Sequence, residues 1–257
     1  MQSHCFRYSE GVANMPGKVN RRAGAGNRAS AGGTVGGGGT RAYDSSGRQA
    51  RAAESRSAIV RVARDLFVEQ GYGRTTIVEI ARAAGVSPES VYAGFRNKAT
   101  LLHRAWDITV GGDDEDVVFH ERPEVVAIRA EPDLARRFRA HAVFSTRTAR
   151  RIAPFVRMVT AASGSDPAAA AMLEEMDRQR LEGMGIMAAD AAATGQLAVS
   201  EEECRDLVWA MTDGMLWHRL VVERGWTDER YASWLGATWV AHLVAPRKGR
   251  TRKAGNS

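Results

Sequence analysis

The sequence predicts an all-α protein. Its expected form is a three-helix helix-turn-helix head plus a buttressing helix, joined to a larger antiparallel helical domain. Three observations predict it. Apolar residues recur at spacings of three and four from near residue 52 to near residue 245. Capping residues and glycine stops punctuate these stretches, as at Thr76, Ser87 and Ser200, and at Gly71, Gly85 and Gly225. Alanine and arginine are abundant and β-branched runs are few, which favours helix over sheet.

The head is read from residues 51–106. Its first helix carries Ile59, Val60, Ala63, Leu66 and Phe67 on one stripe, and Gly71 and Gly73 end it. The second opens at Thr76, where Thr76-x-x-Glu79 fits a capping box. Ile77, Ile80, Ala81 and Ala84 form its inward side, and Gly85 stops it. Ser87 then caps a third helix, with Pro88 at its first position and Val91, Tyr92 and Phe95 following. Asn97 caps a fourth through Leu101, Leu102 and Trp106. A few residues with a glycine between helices two and three is the helix-turn-helix spacing, in which the second helix of the pair enters the major groove. The expected core is Ile59, Ala63, Phe67, Ile77, Ile80, Val86, Val91 and Phe95.

This stretch resembles the amino-terminal domain of the TetR/AcrR family of bacterial transcriptional regulators. The matching residues are Phe67-x-x-x-Gly71-Tyr72, Thr75-Thr76-x-x-x-Ile80-Ala81, Ala84-Gly85-Val86-Ser87, Val91-Tyr92, Phe95 and Lys98-x-x-Leu101-Leu102. Ala93 and Gly94 depart from the aromatic or polar residues usual there. The resemblance implies a homodimeric, cytoplasmic, ligand-responsive regulator of transcription, a repressor released from a palindromic operator by a small-molecule effector. An activator of the same fold and a helical protein-interaction module are the alternatives.

Charge is uneven. Residues 1–50 carry a net +5, residues 51–106 +4, residues 107–245 −8 and residues 246–257 +5. A basic head on an acidic body suits a nucleic-acid partner for the head alone. Residues 1–50 hold eleven glycines and are expected to be a disordered Gly/Arg-rich extension; residues 246–257 are expected to be a disordered basic tail. The run Asp113 to Asp116 reads as a solvated acidic loop, since its spacing fits no EF-hand. Cys5 and Cys204 suggest neither a disulfide framework nor a metal cluster, and no eighteen-residue apolar run predicts a membrane span.

Residues 107–245 are expected to be the ligand-binding and dimerisation domain. A short helix follows Pro123, and another follows Pro132 with Leu134, Phe138, Ala142 and Phe144. Pro154 predicts a kink or a new helix. Pro167 begins a long helix with Met172, Met176, Leu181, Met184 and Met187, and Gly195 stops it. Ser200-x-x-Glu203 begins a further long helix whose single face is Cys204, Leu207, Met211, Met215, His218 and Val222. Thr227 caps the last helix and Pro246 ends it.

Site expectations follow. Contacts to DNA are expected from Arg56, Arg74, Thr76, Ser87, Pro88, Glu89, Ser90, Tyr92 and Lys98, with Arg96 a further phosphate candidate. The resemblance assigns Tyr92, Lys98 and the Thr76 helix start to the DNA backbone. It also implies a pocket, for which His141, Phe144, Arg147, Arg151, Phe155, Met158, Met172, Met176, Met187, Trp209 and Trp217 are the expected lining. The last two helices are expected to pair with a second subunit through Leu207, Met211, Met215, His218, Val222, Tyr231, Trp234, Leu235, Thr238, Trp239 and His242, the other reading being that the tryptophans pack within one subunit. No catalytic set, metal motif or cofactor motif is discernible; none of the six histidines forms His-Glu-x-x-His.

Overall fold

The computed structural model describes residues 45–112 and 119–246, and these are helical apart from turns and one isolated antiparallel bridge, Leu197 with Val244. The acidic run from Asp113 to Asp116, most of the amino-terminal extension and most of the basic tail lie outside the described residues. Among the described residues, those from Arg56 form one compact unit, while residues 45–55 belong to a second. Among the described residues no helix is long and apolar enough to cross a membrane.

Helix α1 runs Ser45–Gln70, α2 Ile77–Ala83, α3 Pro88–Phe95 and α4 Lys98–Gly111. The first begins earlier than the sequence stripe indicates. Extending an existing helix costs far less than nucleating one, and Arg48, Gln49, Ala50, Arg51, Ala52 and Ala53 are good helix formers. The head core gathers Ile59, Ala63 and Phe67 from α1, Ile80 from α2, Val91 and Phe95 from α3. Val86, expected in that core, is half-buried and packs at its edge.

The body holds α5 (Pro123–Ala130), α6 (Leu134–Ser163), α7 (Pro167–Ala192), α8 (Glu201–Met211), the short α9 (Met215–Trp217) and α10 (Asp228–Leu243). Helix α6 is its axis. Its second half, through Ile152, Phe155, Val156 and Val159, joins the head cluster together with Met172 and Met176 of α7. Its first half, through Leu134, Phe138 and Ala142, belongs to a second cluster with Cys204, Tyr231, Leu235 and Trp239. The head core therefore continues into the body through α4, whose Trp106 and Val110 share it.

Two expectations about the body are corrected. Pro154 starts no new helix: α6 is a single helix through it. Pro154 and Arg150 are both exposed, so the carbonyl that proline cannot bond belongs to the solvent-facing side of the helix, while buried residues on the other face hold both halves. The predicted single helix from Ser200 to Gly225 is broken. It ends at Met211, and Gly214 takes φ +84°. A Cβ there would lie 3.2 Å from the Ala153 Cα and from the Ile152 Cγ1, so the chain passes against α6 where only glycine fits. The Asp213 carboxylate accepts from the Met215 N–H at 2.8 Å and restarts the helix, which continues as a π-helical turn over His218–Glu223.

Candidate nucleic-acid interface and cavity

The turn between α2 and α3 follows from three residues. Gly85 at φ +69° closes a Schellman motif, with Val86 N–H donating to Ala81 O (3.0 Å) and Gly85 N–H to Arg82 O (3.2 Å). Ser87 accepts the Ser90 N–H at 3.2 Å and starts α3. Only Val91 and Phe95 of α3 are buried. Glu89, Ser90, Tyr92, Ala93 and Gly94 are exposed, Tyr92 to 53%. Ser90 and Ser87 share a hydroxyl contact of 3.1 Å. The Glu89 carboxyl sits below its ordinary pKa, chiefly through its own backbone N–H and then the Ser87 hydroxyl, so a fixed negative charge marks the start of α3.

The structure redistributes several expected phosphate contacts. The Thr76 N–H and hydroxyl both donate to the Glu79 carboxylate, at 2.8 and 2.9 Å, in a complete capping box. Thr76's own two donors are thus already engaged, and beside an anion. Lys98 is half-buried rather than outward: its Nζ donates to Tyr72 O (2.9 Å) and Thr75 O (3.2 Å) and lies 4.1 Å above the Tyr72 ring. It latches the start of α4 onto the turn after α1. Arg74 gives its Nε to Gln70 O at 2.6 Å and remains exposed, as are Arg56 and Arg96; Pro88 is half-buried. Arg82, which the sequence reading did not single out, is also exposed on α2.

Arg96 is the one non-glycine at positive φ among the described residues, at +63°. It turns the chain from α3 into α4, with Asn97 N–H donating to Phe95 O at 2.6 Å, the i to i+2 bond of a γ-turn. A side chain there is strained. Arg96→Gly is expected to stabilise the protein by about 1 kcal/mol, strain relief exceeding the added unfolded-state entropy. Urea unfolding reads it, and an unchanged or lowered midpoint would mean the turn carries no strain.

A cavity of about 130 Å³ lies between α4, α5, α6 and α7. Four of the eleven expected residues line it: His141, Phe144, Met176 and Met187. The other seven sit elsewhere. Phe155, Met158 and Met172 fill the core, Phe155 against Trp106 with ring centres 5.7 Å apart. Arg147 pairs with Glu124 on the surface. Arg151 donates to Val110 O at 3.0 Å, clasping the end of α4. Trp209 seals the α7–α8 seam, donating to Asp177 O at 3.3 Å beneath Arg180. Trp217 is buried, donating to the Asp228 carboxylate at 2.8 Å. Trp106, Val110 and Phe138 line the cavity instead. Periodicity placed Trp106 and Phe138 on apolar stripes and did not single out Val110, and no sequence signal separates core from cavity wall.

The residues expected between subunits also divide. Tyr231, Leu235 and Trp239 are 1% exposed and His218 is buried, all within their own chain. The α10 face of Tyr231, Leu235 and Trp239 packs on α6, and His218 is buried in the π-helical turn before it, so these four are intramolecular, as the alternative reading held for the tryptophans. Leu207, Met211, Met215 and Thr238 are half-buried; Val222, Trp234 and His242 are exposed. Trp234, Thr238 and His242 share one outer stripe of α10 at spacings of four.

The model of bacterial regulatory proteins of the tetR family matches residues 59–105. The chain carries a tetR-family head. That head is 40% identical over 58 residues to the HTH-type transcriptional regulator AcrR of Shigella flexneri, covering 23% of this chain and 27% of AcrR. The chain thus spans about a quarter of the curated relatives it matches. Beyond the tetR-family head the likeness is one of fold. NalD, the secondary repressor of the MexAB-OprM multidrug efflux pump in Pseudomonas aeruginosa, overlays 75% of this chain and 98% of its own, with TM-score 0.55 at 21% identity. GusR of Salmonella enterica overlays 74% and 95%, with TM-score 0.55 at 24% identity. These share the helix-turn-helix head on a larger helical domain.

Proposed function

We propose that this protein is a cytoplasmic, ligand-responsive transcriptional repressor that binds a palindromic DNA operator as a homodimer. Residues 51–106 are its DNA-binding domain and residues 107–245 its effector-binding and dimerisation domain. One observation carries the reading: α3 buries only Val91 and Phe95 and presents Glu89, Ser90, Tyr92, Ala93 and Gly94 outward, on a tetR-family head. Glu89, Ser90 and Tyr92 face the groove, Glu89 accepting from a cytosine amino group and Tyr92 meeting the backbone. Exposed Arg56, Arg74 and Arg96 supply phosphate contacts. The outer stripe of α10, with Trp234, Thr238 and His242, meets the same stripe of a second copy about a two-fold axis.

The effector enters the cavity whose wall includes Trp106 and Val110 of α4. The same helix is latched to the head by Lys98, so a ligand that favours one placement of α4 favours one placement of the head. Repression by NalD and regulation by AcrR are consistent with this direction.

The test is footprinting after genomic selection of bound DNA. Two protected half-sites are expected with centres about 34–36 Å apart, one helical turn. Tyr92→Ala should weaken every site about equally, whereas Glu89→Ala should relax preference at one base pair, by roughly 1–3 kcal/mol. Selection of no palindrome, or a chain that stays monomeric and ignores duplex DNA at low salt, would overturn the proposal.

A further inference from the structure

The cavity's lining narrows the chemistry of its occupant. Formal charge comes first. Three arginines and three aspartates border it: Arg129, Arg137 and Arg180 with Asp177, Asp190 and Asp213. Arg129 pairs with Asp190, and Arg180 pairs with Asp177 at 2.7 Å. Arg137 donates to Glu131 O at 2.8 Å and Asp190 O at 3.1 Å, and Asp213 takes the Met215 N–H. The charges are balanced and engaged, so an ionic guest would leave a net charge out of water.

Size and surface come next. About 130 Å³ is close to the roughly 150 Å³ apolar cavity known to take benzene. The walls are ring and thioether: Trp106, Phe138 and Phe144, with Met176, Met184 and Met187. Such surfaces favour a flat ring, through edge or offset packing and sulfur–ring contacts.

Two buried polar groups on this wall are left without a hydrogen-bond partner. His141 is 8% exposed, and its Nε2 has no hydrogen-bond partner. Burial pushes its pKa down to about 4, so the imidazole is neutral at ordinary pH. Two turns further along the same helix the Thr148 hydroxyl, also on the cavity wall, is likewise unpartnered. Native structures rarely leave such groups without a partner. A neutral imidazole nitrogen is a donor in one tautomer and an acceptor in the other; a hydroxyl satisfies either.

We propose that the cavity takes an uncharged, single-ring aromatic molecule bearing a hydroxyl group, the phenol class, with that hydroxyl hydrogen-bonded to His141 Nε2. The inference rests on the reading of this cavity as the effector site. Arg147 and Arg151, both expected in the pocket, supply it no charge, because both lie outside the cavity and have carboxylate or carbonyl partners.

Titration calorimetry on the full chain, without DNA, tests it with four single-ring probes: phenol, toluene, benzoate and benzylammonium. Phenol is expected to bind roughly tenfold tighter than toluene, the worth of one buried hydrogen bond, and the two ions to give no heat. His141→Phe should bring the phenol-to-toluene ratio to about one, while His141→Gln, which keeps a hydrogen-bonding atom, should preserve part of it; circular dichroism checks that both fold. Toluene equal to phenol, an unchanged ratio in His141→Phe, tighter binding of either ion, or no binding by any probe each overturns the proposal. A mobility shift separates this from the wider reading. Phenol that binds but leaves an operator complex intact defeats the effector role and spares the ligand class; an ion that binds and releases DNA does the reverse.

Discussion

Replacing Phe155 with alanine is expected to destabilise the protein by about 3–5 kcal/mol, the range for deleting a fully buried phenylalanine side chain. Phe155 is 1% exposed and packs on Trp106, where α6 of the body meets α4 of the head. The cavity left behind would lie in a cluster that also contains Phe67, Ile80 and Leu101. Loss at this point should therefore be felt by the head as well as the body. With a urea slope of roughly 2 kcal/mol per molar, the midpoint should fall by about 1.5–2.5 M. Far-ultraviolet dichroism and tryptophan fluorescence should report one shared transition at fixed protein concentration, a condition needed because a dimer's stability depends on it. A head that unfolds separately, at an unshifted midpoint, would show that the continuous core does not bind the two parts together. The α4-mediated coupling proposed above would fail with it.

Lys98→Met should give the second large effect, and it separates two roles for one residue. As a latch, Lys98 makes two charge-assisted hydrogen bonds and lies over the Tyr72 ring. Methionine keeps the apolar stem but leaves two turn carbonyls without their cation. A cost of about 2–3 kcal/mol is expected, combining charged hydrogen bonds with a cation–π contact and discounted for partial solvent access. DNA affinity should fall because the turn before α2 loosens, yet the salt dependence should keep its slope. A phosphate contact predicts the opposite: stability nearly unchanged, and a slope smaller in magnitude by about one. Measuring both quantities on the one variant decides between the assignment that family resemblance implies and the one the geometry supports.

Much of the head was legible beforehand, for local reasons. Capping boxes, a C′ glycine and a serine–proline start act within four residues, so Thr76, Gly85 and Ser87 mark the boundaries that the structure shows. Seven of the eight expected core residues are buried, because a three-to-four residue stripe says which side faces inward. Val86 lies in the turn, where no such stripe operates. The site was less legible. Thr76 and Lys98 have the right chemistry for phosphate, but their partners, Glu79 on one side and the Tyr72 and Thr75 carbonyls on the other, are chosen by side-chain direction.

By itself, the sequence determined the all-α class, the helix-turn-helix and its presented surface, and the burial of most apolar positions, since caps and periodicity are properties of a few neighbouring residues. Only the tertiary structure decided what each buried residue is buried against. Phe155 and Met172 became core while Trp106 and Phe138 became cavity wall; Tyr231 and Trp239 turned onto α6 while Trp234 stayed outside. Gly214 broke a helix that its own stripe would have continued. The reason is common to all: helical periodicity reports that a face is covered, and the covering element comes from tens of residues away, through close packing that no local pattern encodes.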